Sequence, residues 1–452
     1  MQEKINKLNQ SYFITTLGCS KNLVDSEMLV YALDKQGLQR INDPREAEII
    51  IVNTCGFIEA AQQESINAIL EGENYKKNGR CRCLVVTGCL SQKFGKELFD
   101  SLPEINILLG TGNFLQLPDL LRNNKTASQR FCQVGNPDFC YPEPGKRTLL
   151  TPRYSAYLKI AEGCSNCCSY CVIPSVRGRL RSRPRETVFA EADMLVREGV
   201  KELNLIAQDT SAYGLDISDE TNLARLLEDI SAIDGIGWIR FLYTYPAKIT
   251  QELLEVVKSH ESICRYIDLP LQHVNERILG NMNRKGSRES LCRLVDSIRN
   301  TIPDVTLRTT FIVGFPGETE REFQELLAFM EKVQFDWVGV FPFSPQEGTP
   351  AYNLQPAVSR KEACRRADEL IELQRSITHK RNMRWLNRTL PVLVEGKSED
   401  SQELYTGRTQ GQAPEVDGMV LIKGAGEQDI GEFLNVRITH VEEYDLFGEV
   451  AR

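Results

Sequence analysis

Histidine is scarce: the chain holds four in 452 residues, His260, His273, His379 and His440. No H-E-x-x-H pair occurs among them, so a histidine-built metal site or histidine-based acyl transfer has little to work with. Long apolar runs are missing too. No stretch approaches the roughly 18 residues that a membrane span needs, and the polar start "MQEKINKLNQ" does not read as a signal peptide. The expected compartment is therefore the cytoplasm, with no membrane partner. A basic surplus is also absent. The formal charge is −8, and residues 390–452 carry thirteen Asp and Glu against five Lys and Arg, while the rest of the chain balances. The whole acidic excess belongs to the C-terminal piece. Such a piece repels nucleic acid, whose affinity rests on basic groups set against phosphates.

Cysteine, by contrast, is plentiful at fourteen. In a reducing compartment clustered cysteines read first as metal ligands or redox groups rather than disulfides. Their setting follows from the hydropathy pattern. From Ser11 to about Asn124, "YFITTL", "EIIIVN", "CLVVTG" and "INILLG" read as buried strands, each followed by a helix-like stretch. The second of these helices is expected to close at Gly72. The alternation predicts a parallel sheet with helices on its faces, a first α/β domain over residues 11–126. The polar stretch from Asn123 to Pro152, with Pro137, Pro142 and Pro144, reads as a linker. Six more strand candidates follow, "SAYLKIA", "ELNLIA", "WIRFLYT", "YIDLPL", "TLRTTFIV" and "WVGVFPF". They predict a partial (β/α) barrel over residues 150–380, smaller than the eight-fold form. After a long charged helix, residues 383–452 turn to short alternating strands with Gly turns, which fits a small β-barrel.

"GCSNCCSYC", residues 163–171, packs four cysteines together. Cys164, Cys168 and Cys171 have the spacing C-x3-C-x2-C, and Cys167 offers the competing register C-x2-C-x3-C. Neighbouring side chains point apart, so Cys167 and Cys168 do not readily serve one metal atom together. A structural zinc site wants four ligands, usually as two separated pairs, and no further C-x2-C pair lies elsewhere in the chain. Three thiolates holding an iron–sulfur cluster, with one iron open for a small molecule, fit better. A second trio is dispersed: Cys19, Cys55 and Cys89, in "TLGCSKN", "VNTCGFI" and "VTGCLSQ". Each follows one of the first three strands, has a glycine beside it and precedes a helix. In an open parallel sheet the carboxyl ends of the strands share one rim, so these three thiols should meet there. Cys81, Cys83, Cys132, Cys140, Cys264, Cys292 and Cys364 share no pattern and read as small residues.

The C-x3-C-x2-C register, with Tyr170 before its last cysteine and a βα repeat domain around it, resembles the radical S-adenosylmethionine enzymes. Three dispersed cysteines ahead of such a domain and a TRAM-like barrel behind it resemble the methylthiotransferases, over nearly the whole chain. The resemblance implies that Cys164, Cys168 and Cys171 hold a catalytic 4Fe–4S cluster and that Cys167 is spare. It implies that S-adenosylmethionine binds there, with Tyr170, Gln208 and Asp209 among its contacts. It also implies that Cys19, Cys55 and Cys89 hold a second 4Fe–4S cluster, which supplies or carries the inserted sulfur. "GCSKNLVDSE", "RGRLRSRP", "LIAQDTSAYG", "DLPLQH", "RTTFIVGFPGETE" and "SPQEGTPA" look like the branch that modifies an aspartate in a small-subunit ribosomal protein. Ser20 stands where that branch commonly has proline. The implied partners are that ribosomal protein, free or in the ribosome, and an external electron donor.

Charge gives an argument independent of the resemblance. An acidic terminal barrel suits a basic protein partner, and RNA contact is not expected from it. Modification of an adenosine in transfer RNA is the alternative, and a cluster-bearing binding protein without turnover is the remaining class. Other positions carry less. Arg177, Arg179, Arg181, Arg183 and Arg185 alternate; in an extended strand they would share a face that either clamps a carboxylate or forms a solvated edge. "GFPGET", Gly314 to Thr319, could bring backbone to a cofactor or simply turn. His273 is expected to be structural.

Overall fold

The computed structural model describes residues 10–123, 130–138, 145–218 and 220–451. Cys140, Pro142 and Pro144 lie outside the described residues. Strands β1 (Ser11–Thr16), β2 (Gln39–Arg40), β3 (Ile49–Thr54), β4 (Cys83–Gly88), β5 (Ile107–Leu109) and β6 (Phe131–Gln133) form one sheet. Its order is β2-β1-β3-β4-β5-β6 and every pair is parallel. β3 and β4 are buried along their whole length, which their unbroken apolar runs require of a sheet covered on both faces. β6 lies within the stretch that reads as a linker.

The covering helices are α1 (Ser20–Lys35), α2 (Glu59–Asn78), α3 (Cys89–Ser101) and α4 (Leu117–Arg122). α2 does not close at Gly72 but runs on to Asn78. A Cβ at Gly72 would lie 2.7 Å from Leu84 Cδ1, so this glycine lets the helix approach the sheet.

The second domain contains β7 (Ser155–Lys159), the short antiparallel pair β8 (Ala161–Glu162) and β9 (Arg181–Ser182), then β10 (Glu202–Ile206), β11 (Trp238–Phe241), β12 (Tyr266–Asp268), β13 (Thr306–Val313) and β14 (Trp337–Pro342). β7, β10 and β11 form one parallel sheet and β12, β13 and β14 another; a parallel bridge from Ile239 to Ile263 joins them. The result is the expected partial barrel, its six long strands in chain order. Helices α5 (Ile173–Arg177), α6 (Arg185–Arg197), α7 (Leu223–Ser231), α8 (Gln251–Ser259), α9 (Glu276–Asn281), α10 (Arg288–Thr301), α11 (Glu320–Val333) and α12 (Arg360–Asn382) complete it. Leu158, Leu205, Phe241 and Leu307 of the strands pack with Val188, Leu227, Ile298 and Phe329 of the helices in the main core.

β15 (Thr389–Lys397), β16 (Leu404–Arg408), β17 (Val420–Lys423), β18 (Phe433–Val441) and β19 (Leu446–Val450) close into a barrel with its own core of Val392, Val394, Ile422 and Ile438. Closure leaves no free sheet edge.

This barrel floors the second domain. Arg408 donates to both carboxylate oxygens of Glu202, at 3.0 and 2.7 Å, and Arg240 donates to the Gln410 carbonyl at 2.7 Å. Trp337 Nε1–H donates to the Gly411 carbonyl and the Tyr266 hydroxyl to Asp417. On another side, Asp25 and Glu27 of α1 pair with Lys159 and Arg147. Among the described residues no helix is long and apolar enough to cross a membrane.

Candidate functional site

Between β8 and α5 the chain makes the loop that carries Cys164, Cys168 and Cys171. It enters through Gly163, at φ +77, where a Cβ would lie 2.1 Å from the Arg179 carbonyl; no other residue fits. The Cys164 N–H donates to Gly178 O at 3.0 Å, and the Cys171 N–H donates to Cys168 O at 3.1 Å. The Cys171 sulfur accepts the Ile173 N–H at 3.4 Å, and the Cys168 sulfur accepts from Arg284 at 3.6 Å. Burial pushes the Cys171 thiol up to about 12, and the nearby Cys168 and Cys164 add to the rise. Cys167 behaves differently. Its backbone is left-handed, at φ +52, and its exposed thiol donates to the Ser165 carbonyl.

The neighbours of this loop line up as a pocket. A cavity of about 310 Å³ is bordered by Cys164, Asn166, Asp209, Asp216 and Lys248. Asp209 accepts from Asn166 at 2.6 Å, Ser211 at 2.6 Å and Lys248 at 2.5 Å. Gln208 donates its amide to Glu162 at 2.7 Å, while its carbonyl oxygen is buried with no partner among the described residues. Burial alone would raise the Glu162 carboxyl, but Lys159 and Arg177 hold it at about 2. Tyr170 is not among the residues that line this cavity. It packs on Ile278, Met282 and Phe315, and burial raises its phenol well above the usual range beside Cys168.

Cys19, Cys55 and Cys89 come together at the carboxyl ends of β1, β3 and β4, and glycines set the spacing. A Cβ at Gly18, whose φ is +87, would touch the Cβ and sulfur of Cys55 at 2.7 Å. A Cβ at Gly56 would lie 2.9 Å from the Cys89 carbonyl carbon. Burial pushes the Cys55 thiol up to about 12, with Cys89 and Cys19 contributing, and it raises Cys89 as well. Cys19 goes the other way. Desolvation raises its thiol, but Lys21, Arg177 and the first amides of α1 outweigh this and lower it.

Helix α5 stands between the two trios. It follows Cys171 directly, Val172 and Val176 pack on Cys89, and Arg177 at its end donates to the Cys89 sulfur at 3.3 Å. Arg177 also donates to Asp25 at 2.6 Å and to Asn22.

The alternating arginines do not share a face. Gly178, at φ +76, and Pro184 break the segment. Arg183 is buried on Lys159 O and Glu191, while Arg185 opens α6 and pairs with Asp229. At "GFPGET", a Cβ on Gly314 would meet Ala363 Cβ at 2.3 Å, so that glycine admits α12. His273 is fully buried, accepts the Asn275 N–H, and is held neutral by burial at about 3. Sequence reasoning missed Arg284, Glu162 and Lys248, isolated charges with no local motif to mark them, and gave no role to Lys21 within "GCSKNLVDSE".

Among the described residues no three His, Cys, Asp or Glu side chains close on a single ion. Thiolates that each take a different iron of one cluster stand further apart than the ligands of one ion.

Comparison with known proteins adds the family. Residues 11–110 match the Uncharacterized protein family UPF0004, residues 158–330 the Radical SAM superfamily and residues 388–451 the TRAM domain. The chain is 46% identical to the ribosomal protein uS12 methylthiotransferase RimO of Geobacter sulfurreducens, over 97% of this chain and 98% of that one. It is 44% identical to the enzyme of the same name from Desulfitobacterium hafniense (98% and 99% covered) and 45% to that of Clostridioides difficile (97% and 98%). Among solved structures, the radical S-adenosylmethionine methyltransferase TsrM from Kitasatospora setae superposes with a TM-score of 0.57 at 15% identity, over 76% of this chain and 77% of that one, which speaks for the fold alone. With relatives at this identity covering nearly its full length, the chain belongs to the RimO family of radical S-adenosylmethionine methylthiotransferases.

Proposed function

We propose that this chain replaces a hydrogen on the β-carbon of an aspartate in ribosomal protein uS12 with a methylthio group. One observation carries the reading: α5 links two cysteine trios, starting just after Cys171 and ending with Arg177 on the Cys89 sulfur, while Val172 and Val176 pack on Cys89. Cys164, Cys168 and Cys171 would hold one 4Fe–4S cluster with an iron open to S-adenosylmethionine, and Cys19, Cys55 and Cys89 a second. The surroundings fit such groups, since Gln208 Oε1 is an orphaned acceptor and a cavity opens beside Cys164.

When bound, the clusters and S-adenosylmethionine would supply one-electron chemistry able to open a C–H bond that no side-chain base can usefully deprotonate, together with the inserted sulfur. The chain's own residues bind and orient. Arg284 and the Ile173 N–H steady the Cys168 and Cys171 sulfurs. Gln208, its amide fixed by Glu162, offers its free oxygen to the ammonium of S-adenosylmethionine. Asp209 is locked by Asn166, Ser211 and Lys248 and walls the cavity. Tyr170 backs the loop with an apolar face. Arg177 offsets negative charge at Cys89.

The setting is cytoplasmic and needs an external one-electron donor. Protein rather than transfer RNA is favoured by the terminal barrel. Glu395, Asp417, Glu432 and Glu443 are used in ion pairs with Arg408, Arg308, Lys201 and Arg375, but Glu399, Asp400, Glu403 and Glu427 stay exposed with no ion pair among the described residues.

The test is anaerobic reconstitution, then mass analysis of a uS12 peptide and of transfer RNA for an added methylthio group. Addition to the peptide supports the reading, and addition to transfer RNA alone replaces it with the adenosine reaction. Failure to cleave S-adenosylmethionine under reduction would make the chain a binding protein.

A further inference from the structure

A buried cation without a carboxylate partner is costly, and among the described residues there is one. Every other Lys or Arg buried among the described residues reaches a carboxylate. Lys21, only 7% exposed, pairs with none of the described carboxylates. Its ammonium rests 3.3 Å from the centroid of the Tyr243 ring, where the aromatic face holds it without neutralising it.

The surroundings mark this as a site. Lys21 is the second residue of α1, two residues after Cys19, so the amides at the helix start add to its positive field. Tyr243 follows β11 on the carboxyl-end rim of the partial barrel and is left-handed, at φ +63. Its N–H is fixed by Asp268 at 2.9 Å and its carbonyl by the Thr210 N–H at 3.0 Å, contacts that hold an otherwise unfavourable conformation. The first domain thus delivers a positive charge with no carboxylate partner among the described residues to the rim of the second, beside Cys19.

We infer that Lys21 binds the carboxylate of the aspartate that is modified, and thereby selects an acidic side chain over its amide; this rests on the function proposed above. A carboxylate has two sources here, the target side chain and the methionine end of S-adenosylmethionine. The cavity beside Cys164 serves the second, and Lys21 stands by Cys19 instead.

The experiment uses reconstituted full-length enzyme and two uS12 peptides, one with the target Asp and one with Asn in its place. The wild type should bind the Asp peptide about 10- to 100-fold more tightly, the range of a charge-assisted hydrogen bond. Lys21→Gln should abolish this preference, Lys21→Arg should restore part of it, and affinity for S-adenosylmethionine should not move. A preference that survives in K21Q overturns the inference and leaves the proposed function standing. So does a loss of S-adenosylmethionine affinity with the peptide preference intact, which would assign Lys21 to the cofactor. Loss of iron from K21Q also overturns it, because the lysine would then serve Cys19. If the wild type binds neither peptide and modifies transfer RNA, the proposed function fails and the inference with it.

Discussion

Replacing Arg408 by Met should loosen the C-terminal barrel from its seat. Arg408 is 3% exposed and Glu202 fully buried, so their bidentate pair is out of water. Methionine keeps most of the side-chain volume but leaves Glu202 to Arg240, at 3.3 Å, and Ser155, at 2.8 Å. Removing one partner of a buried pair costs about 3–5 kcal/mol. Titration gives a second measure. Burial would raise the Glu202 carboxyl, but Arg408 first, then Arg240 and Ser155, hold it at about 2 against an ordinary 4.5. At 1.36 kcal/mol per pH unit this is roughly 3 kcal/mol. Because the folded value is depressed, the contribution is complete above pH 4.5 and is lost as pH falls from 4.5 toward 2. Urea unfolding followed at pH 7 and pH 3, with limited proteolysis to detect release of residues 390–451, reads both effects. R408M should be less stable at pH 7 by about 3–5 kcal/mol, with a smaller deficit at pH 3. The double variant R408M/E202Q should recover part of the loss, since the uncompensated charge is gone. An R408M protein as stable as wild type at pH 7, or a deficit unchanged at pH 3, refutes the reasoning.

Three further outcomes follow from the site. Alanine at Cys164, Cys168 or Cys171 should remove about half the iron and end deoxyadenosine formation, whereas Cys167→Ala should keep both; equal loss from C167A sinks the assignment. Gly56→Ala forces a Cβ against the Cys89 backbone, so the second cluster should be lost while deoxyadenosine formation continues; iron content equal to wild type counts against it. Neutralising Glu399, Asp400, Glu403 and Glu427 together should slow association with uS12 several-fold at low salt and little at high salt, where charges are screened. Stopped-flow rates with no salt dependence in the wild type would rule that out.

The strands of the sheets were legible because their apolar runs are long and unbroken, as in "IIIVNT" and "CLVVTG". β2 and β6 were not. They are two and three residues at the sheet's edges, paired with β1 and β5, and nothing in Gln39–Arg40 or Phe131–Gln133 announces it. The cysteine trios were visible for a different reason: each thiol comes with a spacing or a neighbouring glycine that the fold then uses. The arginine run misled because alternation implies a strand only where the backbone stays extended, and Gly178 and Pro184 end it. Lys21 was invisible. A lysine near the start of a helix looks like surface charge until the second domain buries it against Tyr243. The acidic tail was legible in sum, though not in its division between exposed carboxylates and those that fasten the barrel.

The floor of the partial barrel also sets an order in time. Arg408 follows Glu202 by 206 residues, so at about 5–20 residues per second the acid waits roughly 10–40 s for its partner to be synthesised. Once β14 has been made, and until Arg408 follows it, the second domain has its strands but no base, with Glu202, Arg240 and Trp337 open from below. Chaperones and proteases meet this chain as a barrel without a bottom. A chain ended by a nonsense codon between Pro342 and Arg408 stays in that state, even though every cysteine of both trios has already been made.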